Sequence, residues 1–268
     1  MYIRMGRYYD ALDIYDQIER TAASLQYVQL QINTLLATAD LYRHLKSYDQ
    51  AFDDAQRAFQ ISGKTGFRRL TAEAQQSMGL VQLARENYED AEALFRESAK
   101  NGPDNVVLNE ALVEVYLGTG RYAEAEKELN RASADSVGRA DGAYRLQYYT
   151  QRGIARLGLN QFSDAVADFN SAIDEAEQMR TQVVGLKSTG FLDAGSFGGR
   201  VRPYRGMVEA FATLAVAGIP ANATIGGNET DASHAAFHFA ELPRSQPICK
   251  TRRVPHRRAA QTGPPIRP

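Results

Sequence analysis

One frame recurs along the first two thirds of the chain and limits what it can fold into. Tyr122 is followed by Ala125 at +3, by the larger Leu129 at +7 and by the small Ala132 at +10. The frame returns as Tyr8, Ala11, Tyr15 and Ile18, and again as Tyr48, Ala51, Ala55 and Ala58. Two further copies read Tyr88, Ala91, Phe95 and Ser98, then Phe162, Ala165, Phe169 and Ala172. The leading aromatics step by 40, 40, 34 and 40 residues. Aromatics make up 9% of the chain, so five coincidences at one position have a chance on the order of 10⁻⁵. A period of this length marks supersecondary units that must stack, because one unit cannot bury its apolar face alone.

A second apolar stripe precedes each of the last four frames. Its positions at −13, −9 and −6 from the aromatic are Leu35, Ala39 and Tyr42, then Gln75, Gly79 and Gln82. The next two sets are Asn109, Val113 and Tyr116, then Tyr149, Gly153 and Arg156. Spacings of three and four give each helix one buried stripe. The middle column is small or slim (Ala39, Gly79, Val113, Gly153), which lets two helices of a hairpin approach closely, with the aromatic expected to fill the gap beside the turn. Each unit is therefore predicted to be a helix–turn–helix.

The pattern of a small residue, then Gly-x-Tyr/Phe-x-x-Ala-x-x-x-Phe-x-x-Ala, resembles the tetratricopeptide repeat (TPR), a helical hairpin of 34 residues. The early tryptophan of that family is missing, and only Asn101-Gly102-Pro103-Asp104 resembles its closing proline. The 40-residue steps resemble the longer variant of kinesin-light-chain-like arrays, six extra residues fitting longer helices or longer joins. The resemblance implies an all-α fold, a right-handed superhelix (α-solenoid) of about five hairpins, followed by a terminal helix pair and a disordered tail. Three regions follow: an array over 1–180, a terminal helical hairpin with Gly-rich loops over 181–242, and a disordered, basic, Pro-rich tail over 243–268.

Charge supports these boundaries. Residues 1–180 carry 27 acidic and 20 basic side chains, residues 181–268 carry 5 and 11, and six of the nine prolines lie between Pro243 and Pro268. Such a shift separates regions built on different rules. Helical periodicity resumes from Tyr204 to Ala215, a Gly-, Asn- and Thr-rich loop is expected from Gly218 to Thr230, and a short helix from Asp231 to Glu241, capped by Asp231 or Ser233. The sequences Tyr204-x-x-Met207-Val208-x-Ala210 and Ala236-Phe237-x-x-Ala240-Glu241 resemble the hairpin that ends the repeats of bacterial CHAT proteins, caspase-like peptidases joined to such arrays. Pro243 interrupts the stretch that continues into the peptidase there. Met1 lies only seven residues before Tyr8, so the chain is expected to be a piece of a longer protein, with a misplaced start and a frame change near Pro243.

No residues support catalysis. Cys249 and His256 fall in a proline-rich segment with no scaffold to hold a nucleophile against its base. His234, His238 and Glu241 share a helix face, yet no glutamate lies between the histidines in the zincin manner. Neither a metal nor a cofactor is expected, and the chain is read as a non-enzyme. The basic tail lacks interleaved aromatics for base stacking, so nucleic acid is an unfavoured partner. No apolar run reaches fifteen residues, which excludes a transmembrane helix. A single cysteine and an N-terminus without a secretory layout point to a cytoplasmic setting.

In the TPR resemblance, the first helix of each hairpin lines the groove. Candidate partner-binding positions are Asn33, Leu36, Asp40 and Arg43, then Glu73, Gln76 and Leu80, then Glu110, Glu114 and Leu117, then Gln147, Thr150 and Ile154. Carboxylates and amides mixed with a few apolar side chains suit an extended peptide or a partner helix carrying some positive charge. The lysines and asparagines of the chaperone-tail carboxylate clamp are not matched. The expected function is a protein-interaction scaffold; the alternative is the regulatory TPR portion of a truncated CHAT peptidase.

Overall fold

The computed structural model describes residues 8–101, 106–131, 134–182, 200–219, 222–225 and 228–241. The helices are α1 (Tyr8–Ser24), α2 (Val28–His44), α3 (Tyr48–Thr65), α4 (Arg68–Ala84), α5 (Tyr88–Asn101), α6 (Val106–Gly118), α7 (Tyr122–Leu129), α8 (Ala134–Arg139), α9 (Gly142–Gly158), α10 (Phe162–Gln182), α11 (Arg202–Val216) and α12 (Ala232–Glu241). Strands β1 (Asn222–Ile225) and β2 (Asn228–Asp231) join α11 to α12. Among the described residues the fold is an all-α solenoid: α1, four complete hairpins (α2–α3, α4–α5, α6–α7, α9–α10) and the closing pair α11–α12.

The hairpins share one turn. Lys46, Glu86, Gly120 and Asn160 each occupy the left-handed region, with φ between 60° and 72°. In each, the next residue donates its N–H to a carbonyl five positions back: Ser47 to Tyr42, Asn87 to Gln82, Arg121 to Tyr116 and Gln161 to Arg156. This six-residue closure satisfies carbonyls that the helix end leaves open. Glycine occupies the strained position once, so backbone hydrogen bonding sets the turn rather than residue identity.

The repeat columns are the core. Ala51, Ala55, Ala58, Ala91, Phe95, Ala125, Ala165, Phe169 and Ala172 are fully or almost fully buried, as are Ala39 and Val113 of the facing helices. A Cβ added at Gly79 would lie 2.5 Å from the Phe95 ring, and one at Gly153 would lie 2.7 Å from the Phe169 ring. The small column thus receives the ring of the next helix. Two of the leading aromatics, expected to fill the gap beside the turn, reach into the next unit: Tyr88 packs on Gly118 and Tyr122 on Gly158, both in the following hairpin. These two are joints between repeats. Phe169 is held on both sides, by Gly153 and by Gly206 of α11.

The extra six residues enter the array in two ways. Between Tyr8 and Tyr48 they lengthen helices; between Tyr122 and Phe162, α7 stops after eight residues and the separate helix α8 follows. One cluster runs from Ala165, Phe169 and Ile173 through Tyr204, Met207 and Phe211 to Ala232 and Ala235, so α11–α12 packs as one more hairpin. The expected loop from Gly218 to Thr230 is corrected in part: Asn222 pairs with Asp231 and Ile225 with Asn228 in an antiparallel hairpin. Asn, Thr and Gly made that stretch read as a loop, whereas backbone pairing organises it. Asp231 is the cap of α12, accepting the His234 N–H at 2.9 Å. The expectations for Met1–Arg7, Pro103, Ala132, the Gly-rich joint at 183–199 and the tail at 242–268, with Cys249 and His256, lie outside the described residues.

Candidate functional site

The inner face follows from an asymmetry in packing. First helices of successive hairpins touch (α2 with α4, α4 with α6, α6 with α9, α9 with α11), whereas second helices make no comparable contacts among the described residues. The stack therefore curves towards the first helices. Along that face, amides and carboxylates form rungs between repeats. Gln147 donates to Glu110 at 3.2 Å and Gln151 donates to Glu114 at 2.8 Å, each joining α9 to α6. Arg202, at the start of α11, reaches the same Glu114 oxygen at 2.5 Å.

The thirteen sequence-predicted positions divide by environment. Asp40 and Arg43 pair with each other at 2.5 Å, and Glu73 pairs with Arg69 at 2.8 Å. Leu36, Leu80 and Ile154 are partly buried against the core, and Gln76 is likewise half-buried. Leu117 and Thr150 are buried, Thr150 donating to the Leu146 carbonyl at 2.6 Å. Glu114 is 8% exposed and committed to Gln151 and Arg202. Asn33 sits in a shallow depression with the exposed rings of Tyr27 and Phe67. Glu110 and Gln147 are the two that open together into one cavity.

That cavity, of about 590 Å³, lies between α6, the end of α7 and the start of α9. Its position follows from the chain: α7 ends at Leu129, whereas α3, α5 and α10 run for 18, 14 and 21 residues. Val113 and Leu129 form apolar wall, and Tyr144, Tyr148 and Asp141 come from α9 and its cap. Asp141 accepts the Tyr144 N–H at 2.8 Å, which fixes the carboxylate at the rim. Glu128, also on the wall, is paired with Arg131 at 2.8 Å.

The electrostatics are those of crowded negative charge. Burial raises the Glu110 carboxyl above its usual range; Gln147 opposes this, and Glu114 and Asp141 add to it. The Tyr144 hydroxyl is raised by burial and then by Glu110. Burial is the larger cause of both shifts, and neighbouring negative charge adds to it.

Sequence reasoning missed Tyr144, Tyr148 and Asp141. The signal was present: Tyr144, Tyr148 and Arg152 recur every four residues on one helix face. Tyr144 and Tyr148 stack at 6.4 Å with planes 16° apart, and the Arg152 guanidinium lies 4.9 Å from the Tyr148 ring centre. Arg152 and Arg156 both bind Asp168, which is 3% exposed, and Arg152 also donates to the Tyr148 hydroxyl at 2.9 Å. This network locks α9 to α10 behind the cavity.

The histidine face of α12 is not assembled as a site. His234 bonds Asp231 at 3.0 Å and His238 stands edge-on to Phe239. Among the described residues no group of three or more His, Cys, Asp or Glu side chains could hold a metal ion, and no helix is long and apolar enough to cross a membrane.

Known proteins fit this description. Two family profiles, each described as tetratricopeptide repeat, match residues 30–101 and 82–146. No curated protein matches the chain in sequence. The crystal structure of BtubC (BKLC) from P. vanneervenii resembles it with a TM-score of 0.56 and 17% identity, over 69% of this chain and 80% of that one; at that identity the likeness shows the fold. Residues 30–146 of the chain carry tetratricopeptide repeats.

Proposed function

We propose that this protein is a protein-interaction scaffold whose inner face holds an extended segment of a partner, seated at the cavity between α6 and α9. The tetratricopeptide repeats support the general role. The cavity carries the specific one: the first helices α6 and α9 supply most of its lining, and it joins apolar wall to a few fixed polar groups, the usual make-up of a recognition pocket. It takes a segment of chain rather than a small substrate, since solenoids present extended concave surfaces. The lining offers no histidine, serine, threonine or cysteine beside Glu110 and Asp141, and its tyrosines are engaged in stacking, which favours binding over catalysis.

A display selection of random peptides against the full chain, with Gln147→Trp as the blocked variant, tests this. Selected peptides should lose about tenfold or more in affinity, because an indole fills the cavity mouth. Peptides that bind wild type and Gln147→Trp equally would move the site elsewhere. A second reading, the regulatory portion of a longer CHAT peptidase, rests on α11–α12, which form over the residues carrying that resemblance. A caspase-like reading frame downstream in the gene would support it, and its absence would remove it.

A further inference from the structure

The α9 ladder begins with a cation and ends in the cavity. Arg152 covers Tyr148, Tyr148 stacks on Tyr144, and Tyr144, four residues further from Arg152, lines the cavity wall. Glu110 and Asp141 lie on the same wall, one bonded to an amide and one to a backbone N–H. Neither bond neutralises a carboxylate, and Arg145, which feels the charge of Asp141, gives its hydrogen bonds to Glu175 and the Ala140 carbonyl instead. The third wall carboxylate, Glu128, has Arg131, and nearby Glu114 has Arg202. An occupant must therefore bring positive charge, a flat face for Tyr144 and an apolar stem for Val113 and Leu129.

Resting on the scaffold reading above, we propose that the cavity is an anchor subsite for one arginine side chain of the partner segment, its guanidinium stacked on Tyr144 and bonded to Glu110 and Asp141. Arginine fits better than lysine because a planar guanidinium stacks on a ring and spans two carboxylates, whereas an ammonium is a compact point charge. The bound arginine repeats at one end of the ladder what Arg152 does at the other. It also relieves the charge crowding that the free protein tolerates.

The test is a titration of the deuterated, ¹⁵N-labelled full chain with Ac-Ala-Arg-Ala-NH₂, followed by backbone amide shifts. The lysine, citrulline and leucine analogues run in parallel. The arginine peptide should move the amides of Glu110, Tyr144 and Gln147 in a saturable way. Citrulline, which keeps shape but not charge, should bind at least about fivefold more weakly, and lysine should fall between. Glu110→Gln, which preserves shape and a hydrogen-bonding partner for Gln147, should weaken the arginine peptide by about fivefold, as should Tyr144→Leu. Equal binding of arginine and citrulline peptides, or two silent variants, overturns the proposal. If the leucine peptide alone occupies the cavity, the arginine anchor falls and the groove stands; if no peptide moves any inner-face amide, both fall. Cavity amides that shift when Arg252, Arg253, Arg257 and Arg258 are replaced by Gln, with no peptide added, would make the chain's own tail the occupant and overturn the partner assignment.

Discussion

Gly153→Ala should destabilise the array although alanine is the better helix former. Gly153 is buried in α9, where a Cβ would stand 2.7, 2.8 and 3.1 Å from three atoms of the Phe169 ring. Carbon atoms in good contact are about 3.5–4.0 Å apart, so the overlap is roughly 0.8 Å. Phe169 is completely buried and Gly206 presses its other face, so the ring cannot slide away. Overpacking of this kind costs about 3 kcal/mol at the upper end of the range. Replacing glycine in a helix returns about 1 kcal/mol, which leaves a net loss of about 2 kcal/mol. Gly63 in α3 is the control: a Cβ there meets nothing within 4 Å. Gly63→Ala should therefore stabilise by up to about 1 kcal/mol. Urea unfolding followed by circular dichroism compares the two, with unchanged m-values required for a stability reading. If both alanines stabilised alike, the small column would not be where the following ring packs, and the repeat register would be wrong.

Three further outcomes follow from the same packing and electrostatics. Ala165→Leu, at a position with no exposure, should cost about 1–3 kcal/mol in the same assay, and an unchanged midpoint would misplace the second repeat column. Arg202→Ala strips Glu114 of its cation and should cost about 2 kcal/mol, with a clearly smaller loss in a Glu114→Gln background; equal losses in both would show that the ion pair does not hold α11 to α6. Glu110→Gln should raise the thermal midpoint at neutral pH. The folded carboxyl is raised above its unfolded value, so the folded state holds the proton more tightly, and its ionisation weakens the fold as pH rises through that window. The advantage of the glutamine variant should accordingly shrink as pH falls below the ordinary carboxylate range, and a difference independent of pH would assign the effect to something other than charge.

The array was legible because its signals are local and repeated. Alanines at 51, 91, 125 and 165 had to be buried once the period was known, and all four are. Glycines at 79 and 153 announced close approach, but which ring would fill the space needed the fold, as did the reach of Tyr88 into the next hairpin. The site was less legible. Counting helix positions places Glu110 and Gln147 on the inner face, yet cannot tell that Glu114 is spent on an arginine 88 residues away. The cavity itself depends on where α7 stops, and no proline or glycine marks Leu129 as a helix end. The β1–β2 pair was hidden for a different reason. Its strands are four residues long, with Asn, Thr and Glu that also suit turns, so neither periodicity nor propensity singled them out.

Hydrogen–deuterium exchange on the full chain, with and without a display-selected peptide, tests the scaffold reading most directly. Added protection should concentrate at α6 and the first half of α9, around Glu110, Tyr144 and Gln147. Protection confined to the outer helices α3, α5 or α10, or none at saturating peptide, would contradict it.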